Sequence, residues 1–320
     1  MICKEKEIVI ALGGFRIHDN MKIGTIVLRV KEIERVLDFY QKYFGLQLNN
    51  KKHQYDNNNP AYELSFEHLA SSDTTMSPLL ILHHDPNARN ASLSSAGLYH
   101  FAILVPDRKS LASTYLALKL SGVHFDGFAD HLVSESLYLR DPEGNGIEIY
   151  HDRPSEKWPR DSAGNIMMDT LPLDLQSLIE EMNHDRSGNP MAFPTGAKIG
   201  HIHLRVTNLD RSITFYHEIL GQDITVNWKQ MGAAFLSTGG YHHHIGMNTW
   251  HSLNGEGRIQ GVSGLENFTI TLPDKSYSTL WDTINRQSAN YEPQRRIQET
   301  DKNQLMVSDP DGIQIVCKSE

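Results

Sequence analysis

The sequence predicts an α+β fold built from four tandem βαβββ modules, and three observations predict it. The chain repeats itself: GTIVLRVKEIERVLDFYQKYFG at 24–45 and GHIHLRVTNLDRSITFYHEILG at 200–221 agree at nine of 22 positions without a gap. GLYHFAILVPD at 97–107 returns as GLENFTITLPD at 264–274, and DPEGNGIEI at 141–149 as DPDGIQIVC at 309–317, so the three offsets are 176, 167 and 168. Such a series marks the duplication of a unit of about 130 residues. Within each unit the hydrophobic period switches twice from strand-like to helix-like. Finally, 320 residues with 39% apolar and 22% charged side chains are an ordinary globular composition, long enough for two domains.

The elements follow in order. Residues 23–30 alternate as a strand. Ile33, Val36, Leu37, Tyr40 and Phe44 then recur at helical spacing, and Gly45 ends the helix. Alternating strands follow, ending in LLILHH at 79–84. The pattern restarts with a strand at 99–105 and a helix at 108–121, and closes on SLYL and GIEIY. The four modules begin near Ile23, Leu98, Ile199 and Leu265. The domains expected are a loosely held extension (1–20), a first two-module domain (21–153), a linker (154–195) and a second two-module domain (196–320). The linker is rich in Pro, Gly, Ser and Asp at its ends, with one amphipathic helix expected over Leu171–Met182 and a course over the surface.

Composition excludes several function classes. Lys and Arg number 30 against 39 Asp and Glu, a net charge of −9, so neither nucleic acid nor an anionic membrane is the expected partner. No apolar run approaches the roughly 18 residues of a membrane span, and the start, MICKEKEIVIALGGFRIHDN, is a poor secretory signal. The two cysteines, Cys3 and Cys317, make neither a disulfide framework nor a thiolate zinc site. A cytoplasmic setting is expected. Histidine, with 17 copies, is the oddity.

The LRV…FY…G start of a module and the DPxG…E end of another resemble the vicinal oxygen chelate superfamily. This superfamily embraces glyoxalases, bleomycin resistance proteins and extradiol dioxygenases. The likeness covers about residues 22–318 and implies two curved, mixed-sheet, glyoxalase-like domains. A sharper resemblance lies in module two, where His131, Leu137, Tyr138, Asp141, Pro142, Gly144 and Glu148 follow the pattern of extradiol dioxygenases; Ala129 departs from it, two residues before the histidine, where Gly is usual. Within that family the chain is most similar to two-domain catechol 2,3-dioxygenases of Bacillus type. The resemblance implies an Fe(II) enzyme, with Mn(II) as the alternative, that opens a small aromatic diol with O2 to a semialdehyde. A homo-oligomer is expected.

In this superfamily the metal ligands sit on the first and last strands of modules. At the first strand the four modules carry Thr25, His100, His201 and Asn267; at the last strand, module two has Glu148 and module four Val316. Two His and one carboxylate suit non-haem iron, so the expected ligands are His100, Glu148 and His201, gathered between modules two and three, within one chain or across a dimer. Module three ends in YHHHIGMNTW, read as a strand with His242 and His244 on one side and His243 pointing away. His244 or His242 is the expected acid–base group, and His131 and Tyr138 are expected to contact the substrate oxygens. His203 shares a face with His201. Arg29 and Arg205, repeated in both units, are expected to brace the following helix. Two other functions compete: a glyoxalase-like metal-dependent isomerase or thiol transferase, and a metal-free protein that sequesters a drug.

Overall fold

The computed structural model describes residues 15–19, 21–56, 59–66, 78–184, 193–288, 298–301 and 304–320. Cys3 and most of the expected extension lie outside them. Module one comprises strand β1 (Lys22–Val30), helix α1 (Ile33–Phe44) and strands β2 (Gln47–Asp56), β3 (Asn59–Ser65) and β4 (Leu80–His84). Module two has β5 (Gly97–Leu104), α2 (Arg108–Leu120), β6 (Phe125–Asp130), β7 (Ser134–Arg140) and β8 (Gly146–Asp152). Helix α3 (Leu175–Glu180) stands in the linker. Module three has β9 (Lys198–Arg205), α4 (Leu209–Thr214), β10 (Asp223–Trp228), β11 (Ala233–Ser237) and β12 (Ile245–Asn248). Module four has β13 (Gly264–Leu272), α5 (Asp274–Ser288), β14 (Gln298–Asp301), β15 (Gln304–Ser308) and β16 (Gln314–Ser319).

Pairing crosses the two halves. One sheet runs β14-β15-β16-β13-β1-β4-β3-β2 and joins modules four and one; the other runs β10-β11-β12-β9-β5-β8-β7-β6 and joins modules three and two. In each module the first strand lies parallel to the last, and two first strands meet antiparallel at the sheet centre. Strand alternation explains the division of faces. Ile26, Leu28 and Val30 of β1, Ile202 and Leu204 of β9 and Val206 just after it enter one apolar core with α1, α2 and α4. The alternate residues of β9, namely His201, His203 and Arg205, face away from that core.

Local chemistry sets the helix ends. Gly45 caps α1 with φ of 64°, a left-handed turn that glycine adopts at little cost. Asp107, Asp174 and Asn208 cap α2, α3 and α4 by accepting backbone N–H groups. Helix α3 is shorter than the expected Leu171–Met182, because Leu171 is instead bridged to Asp130 by two backbone hydrogen bonds.

Two matching latches lock the sheets together. Tyr40 of α1 donates to Asp141 at 3.1 Å, while Glu143 accepts the N–H groups of Lys31 and Glu32 at 2.6 and 2.7 Å. In the other half Tyr216 donates to Asp309 at 3.2 Å, and Asp311 accepts the N–H and hydroxyl of Thr207. The Asp-Pro-x-Gly turns are therefore structural joints between modules. Residues 15–19 are pinned, contrary to the loose extension expected: Ile17 is buried and donates its N–H to Gly221. Arg29 does not brace a helix, because it pairs with Asp85 and Glu266 at 2.7 and 2.5 Å. Arg205 has no helix partner either, and opens to a cleft between the sheets. Burial pushes the Cys317 thiol up to about 12, which leaves it unreactive. Among the described residues no helix is long and apolar enough to cross a membrane.

Candidate functional site

His100 of β5 and His201 of β9 reach the same face because those strands are neighbours at the sheet centre. Glu148 joins them from β8, on the other side of β5. All three are buried, at 6%, 1% and 3% exposure, and all belong to one chain. One ligand-type atom from each lies within 4.8 Å of the others. Nε2 of His100 and Nε2 of His201 lie 2.9 and 3.0 Å from the same oxygen, Glu148 Oε2. The second carboxylate oxygen is fixed by the Ser136 hydroxyl, which donates to Oε1 at 2.6 Å.

These donors fit a metal ion. His100 Nε2 is buried and, despite its closeness to Glu148, has no hydrogen bond of acceptable geometry. A buried polar atom left so costs stability unless another partner satisfies it. The second nitrogen of His201, Nδ1, is also unpartnered, and packing against His243 and Tyr150 (ring centroids at 4.1 and 4.7 Å) holds that ring. Two imidazoles and one carboxylate suit a divalent transition metal and leave coordination positions open. Burial alone would raise Glu148, but beside His201 and His100 the carboxyl is held well below its ordinary range. Burial lowers His201, partly offset by Glu148. The carboxyl is thus favoured as an anion and the His201 ring as a neutral donor, the forms in which such groups bind a metal.

His100 and Glu148 line a cavity of about 320 Å³, the size of a small-ligand site. The ligand-type atom of His201 lies within 4.8 Å of theirs, although His201 does not itself line the cavity. Tyr99, Trp228, Phe235 and Trp250 supply aromatic walls, and His131, Tyr138, His203 and His243 supply polar groups. His131 and Tyr138, the residues expected to contact the substrate oxygens, both line the cavity. Tyr138 Oη and His131 Nε2 are 2.7 Å apart, and His131 Nδ1 lies 2.8 Å from the carbonyl of Asp169. That carbonyl can only accept, so Nδ1 carries the proton. In the neutral ring Nε2 then accepts from Tyr138. Burial and the Glu148 charge raise Tyr138 well above 10, so its phenol keeps its proton.

The triple histidine departs from expectation. Residues 242–244 are not on a strand, since β12 starts at Ile245 after a turn through Gly239 and Gly240 with φ of 62° and 74°. Strand alternation therefore does not apply. His243, expected to point away, lines the cavity. His242 lies behind it, with Nδ1 at 2.8 Å from His243 Nδ1 and Nε2 at 2.7 Å from Asp152. His244 does not line the cavity; its Nδ1 meets the Ser237 hydroxyl at 2.8 Å, and burial lowers it to about 3. Burial also holds His243 and His203 well below 6.5.

Sequence reasoning missed other lining residues. The linker does more than cross the surface: Met168 and Thr170 close one wall. Arg108 ties that linker down by donating to the Ser177 carbonyl and to Glu181. No periodic pattern marked these positions. His203, placed by alternation on the face of His201, does line the cavity. Gly246 makes room for it, because a Cβ there would lie 2.9 Å from His203 Nδ1.

Comparison with known proteins adds the following. Residues 22–149 and 198–316 match the model of the Glyoxalase/Bleomycin resistance protein/Dioxygenase superfamily. The chain is 40% identical over 296 residues to a protein of Bacillus subtilis (strain 168) named catechol-2,3-dioxygenase, covering 92% of this chain and 95% of that one. Among solved structures it resembles glyoxalase I from Zea mays, at 16% identity and a TM-score of 0.55, covering 94% of this chain and 93% of that one. It also resembles a second Bacillus subtilis protein, at 12% identity and a TM-score of 0.62, covering 94% and 86%. At such identities the two structures speak for the fold alone.

Proposed function

Because the chain belongs to the glyoxalase/bleomycin resistance protein/dioxygenase superfamily, we propose that its cavity is the active site of an extradiol dioxygenase, which opens a catechol-type ring with O2 to a semialdehyde. One observation carries this reading: two imidazole nitrogens and one carboxylate oxygen, all on buried residues, converge beside an aromatic-walled cavity that His100 and Glu148 line, in a chain 40% identical to a protein named catechol-2,3-dioxygenase. His100, Glu148 and His201 would hold the metal, which we assign as Fe(II), Mn(II) fitting the same donors. When bound, such an ion gathers the diol and dioxygen at one centre and lets electrons pass between them.

The chain's own residues prepare the diol. Tyr99 and Trp250, 5.3 Å apart and edge-on, offer faces against which a flat ring packs. Tyr138 keeps its proton and serves as a hydrogen-bond donor to a substrate oxygen once His131 no longer takes it. His243 is the acid–base group in this reading, in place of His244 or His242. The Asp152 carboxylate accepts from His242 Nε2–H, so His242 Nδ1 accepts from His243 Nδ1–H. That sequence of tautomers leaves the Nε2 lone pair of His243 to take a proton from the diol. Asp152 and the linker behind it steady the relay: Tyr241 donates to Asp152 at 2.9 Å, and Trp158 packs on His242.

The test is direct. Protein purified without oxygen, loaded with Fe(II) and given catechol in air is expected to form a yellow product. Metal-loaded, folded protein that forms none overturns the reading.

A further inference from the structure

Arg29 and Arg205 stand at equal places in the two sheets, each opposite a glycine of the neighbouring central strand, Gly264 and Gly97. At Arg29 the charge is answered twice, by Asp85 and Glu266. The matched strand registers put Trp250 in the place of Asp85 and Tyr99 in the place of Glu266. Arg205 has therefore exchanged both carboxylates for aromatic rings. It is nevertheless only 9% exposed, its Nε is buried without a hydrogen bond, and no ion pair reaches it among the described residues. Burial, and then the nearby Arg140, weaken its hold on the proton. A guanidinium stays charged even so, and a buried charge without a counter-ion is unstable.

The guanidinium faces a cleft of about 730 Å³ at the seam of the two sheets. Lys31, Arg140 and Arg258 add positive charge there, against Glu32 and Glu143. Glu143 Oε1 accepts the backbone N–H groups of Lys31 and Glu32, while its Oε2 is buried without a hydrogen bond. Among the described residues no ion pair joins Glu143 to Arg205, and Arg140 is paired with Asp126 at 2.7 Å. Gly97 leaves Arg205 uncovered, since even a methyl group there would come within 3.6 Å of Nη2. Tyr99 and Arg140 line this cleft and also the cavity that holds the histidines.

We propose that the seam cleft is an anion site in which Arg205 receives a carboxylate. His201, His203 and Arg205 follow one another on one face of β9, spanning about 13 Å of strand. A ring beside His201 with a short acid arm, together with the length of the Arg205 side chain, covers that span. The carboxylate can come from such an arm, in which case the inference rests on the diol reading above, or from a separate small acid. The recognising chemistry, a planar guanidinium fork against a planar carboxylate, is the same.

Binding of 3-phenylpropionate and of its neutral amide, followed by calorimetry on the wild-type protein, R205M and R205K, tests this. The wild type is expected to bind the acid at least ten-fold more tightly than the amide. R205M is expected to lose the preference and R205K to keep part of it, with circular dichroism and melting curves showing that both fold. Catechol then assigns the source. Displacement of the acid by catechol supports an arm on the ring, and simultaneous binding supports a separate acid. Equal affinity for acid and amide in the wild type, or a preference that survives in R205M, overturns the proposal. The readout is binding, so a failure of ring opening would remove the dioxygenase reading and leave this result standing.

Discussion

The two sheets share one strand order and one register, yet only one of them gathers metal-ligand donors among the described residues. Where the sheet of modules two and three (the inner sheet, from the two middle quarters of the chain) has His201, His203, His100 and Glu148, the sheet of modules one and four (the outer sheet) has Thr25, Val27, Asn267 and Val316 at the same register positions. The outer sheet fills that face with a small apolar cluster of Val27, Ala61 and Ile81. It also neutralises its buried cation locally, since Arg29, Asp85, Glu266 and His83 form one network. Both sheets leave single buried nitrogens without a hydrogen bond, Nε of Arg29 in the outer one, Nε2 of His100, Nδ1 of His201 and Nε of Arg205 in the inner one. The difference lies in charge: Arg29 has two carboxylates, and Arg205 has no ion pair among the described residues. The same backbone can thus be a charge-balanced scaffold or a site, because a buried charge without a counter-ion costs stability in the absence of a ligand.

The largest effect expected from breaking this contrast comes from making the inner sheet resemble the outer one. H201T or E148V should abolish metal retention and lower ring opening by roughly 10³-fold or more, since removal of one donor leaves an incomplete set. Metal content by elemental analysis and initial rates of product formation check this. S136A, which frees Oε1 of Glu148, should weaken metal affinity by about 10- to 100-fold. Full metal retention in H201T would remove His201 from the site.

A smaller loss is expected along the relay. H243Q should lower the rate of ring opening by about 10²-fold, the usual size of a lost general base, with metal content unchanged. D152N should cost less, because it only disturbs the proton positions on His242 and His243. H244Q should cost least, since His244 meets Ser237 outside the cavity. An H244Q defect larger than that of H243Q would restore the original expectation for His244.

Much of this contrast was legible in the sequence. The duplication gave four equivalent positions, the superfamily resemblance said which strands carry ligands, and ligand-type residues survived there only in modules two and three, so His100, Glu148 and His201 were expected together. Other features depended on backbone path or on long-range contacts. His243 faces inward because 241–244 form a bend after two glycines with positive φ, whereas alternation assumes an extended strand. Met168 and Thr170 reach the cavity through an irregular linker without any period to read. Arg29 and Arg205 sit in the same motif, and only partners 56 and 237 residues away from Arg29 distinguish them.

Proton binding at the two Asp-Pro-x-Gly turns extends the comparison. Burial raises both Asp141 and Asp309, but Asp309 is raised to about 7, burial being joined by the charge of Asp311. A carboxyl raised on folding contributes stability that is present in full below its unfolded value near 3.8 and is lost as pH rises through 7. Between pH 5 and 7.5 the wild type should therefore lose stability to urea. D309N, which cannot ionise, should lose about 1–2 kcal/mol less, within the limit of about 1.4 kcal/mol per pH unit for one group. Parallel pH profiles for the two proteins would show that Asp309 does not hold its proton in the fold.

The smallest effects are expected at the tyrosines of the latches. Tyr40 and Tyr216 are fully buried and each donates one hydrogen bond across the sheets, to Asp141 and Asp309. Y40F and Y216F each remove one donor and leave the ring packing intact, so each should cost about 1 kcal/mol in urea unfolding. The latches share no partner, so the double variant should cost the sum. Neither tyrosine lines the cavity, and each Asp carboxylate retains its backbone donors, Glu143 and Asn145 for Asp141 and Asp311 and Ile313 for Asp309. Ring opening should therefore be nearly as fast in Y40F as in Y216F, although only Asp141 lies in the sheet with the histidines. If Y40F slows ring opening well beyond its effect on stability while Y216F does not, the turn at Asp141 positions Glu148 and the cavity as well as joining the sheets. The symmetry of the two latches would then be one of shape and not of role.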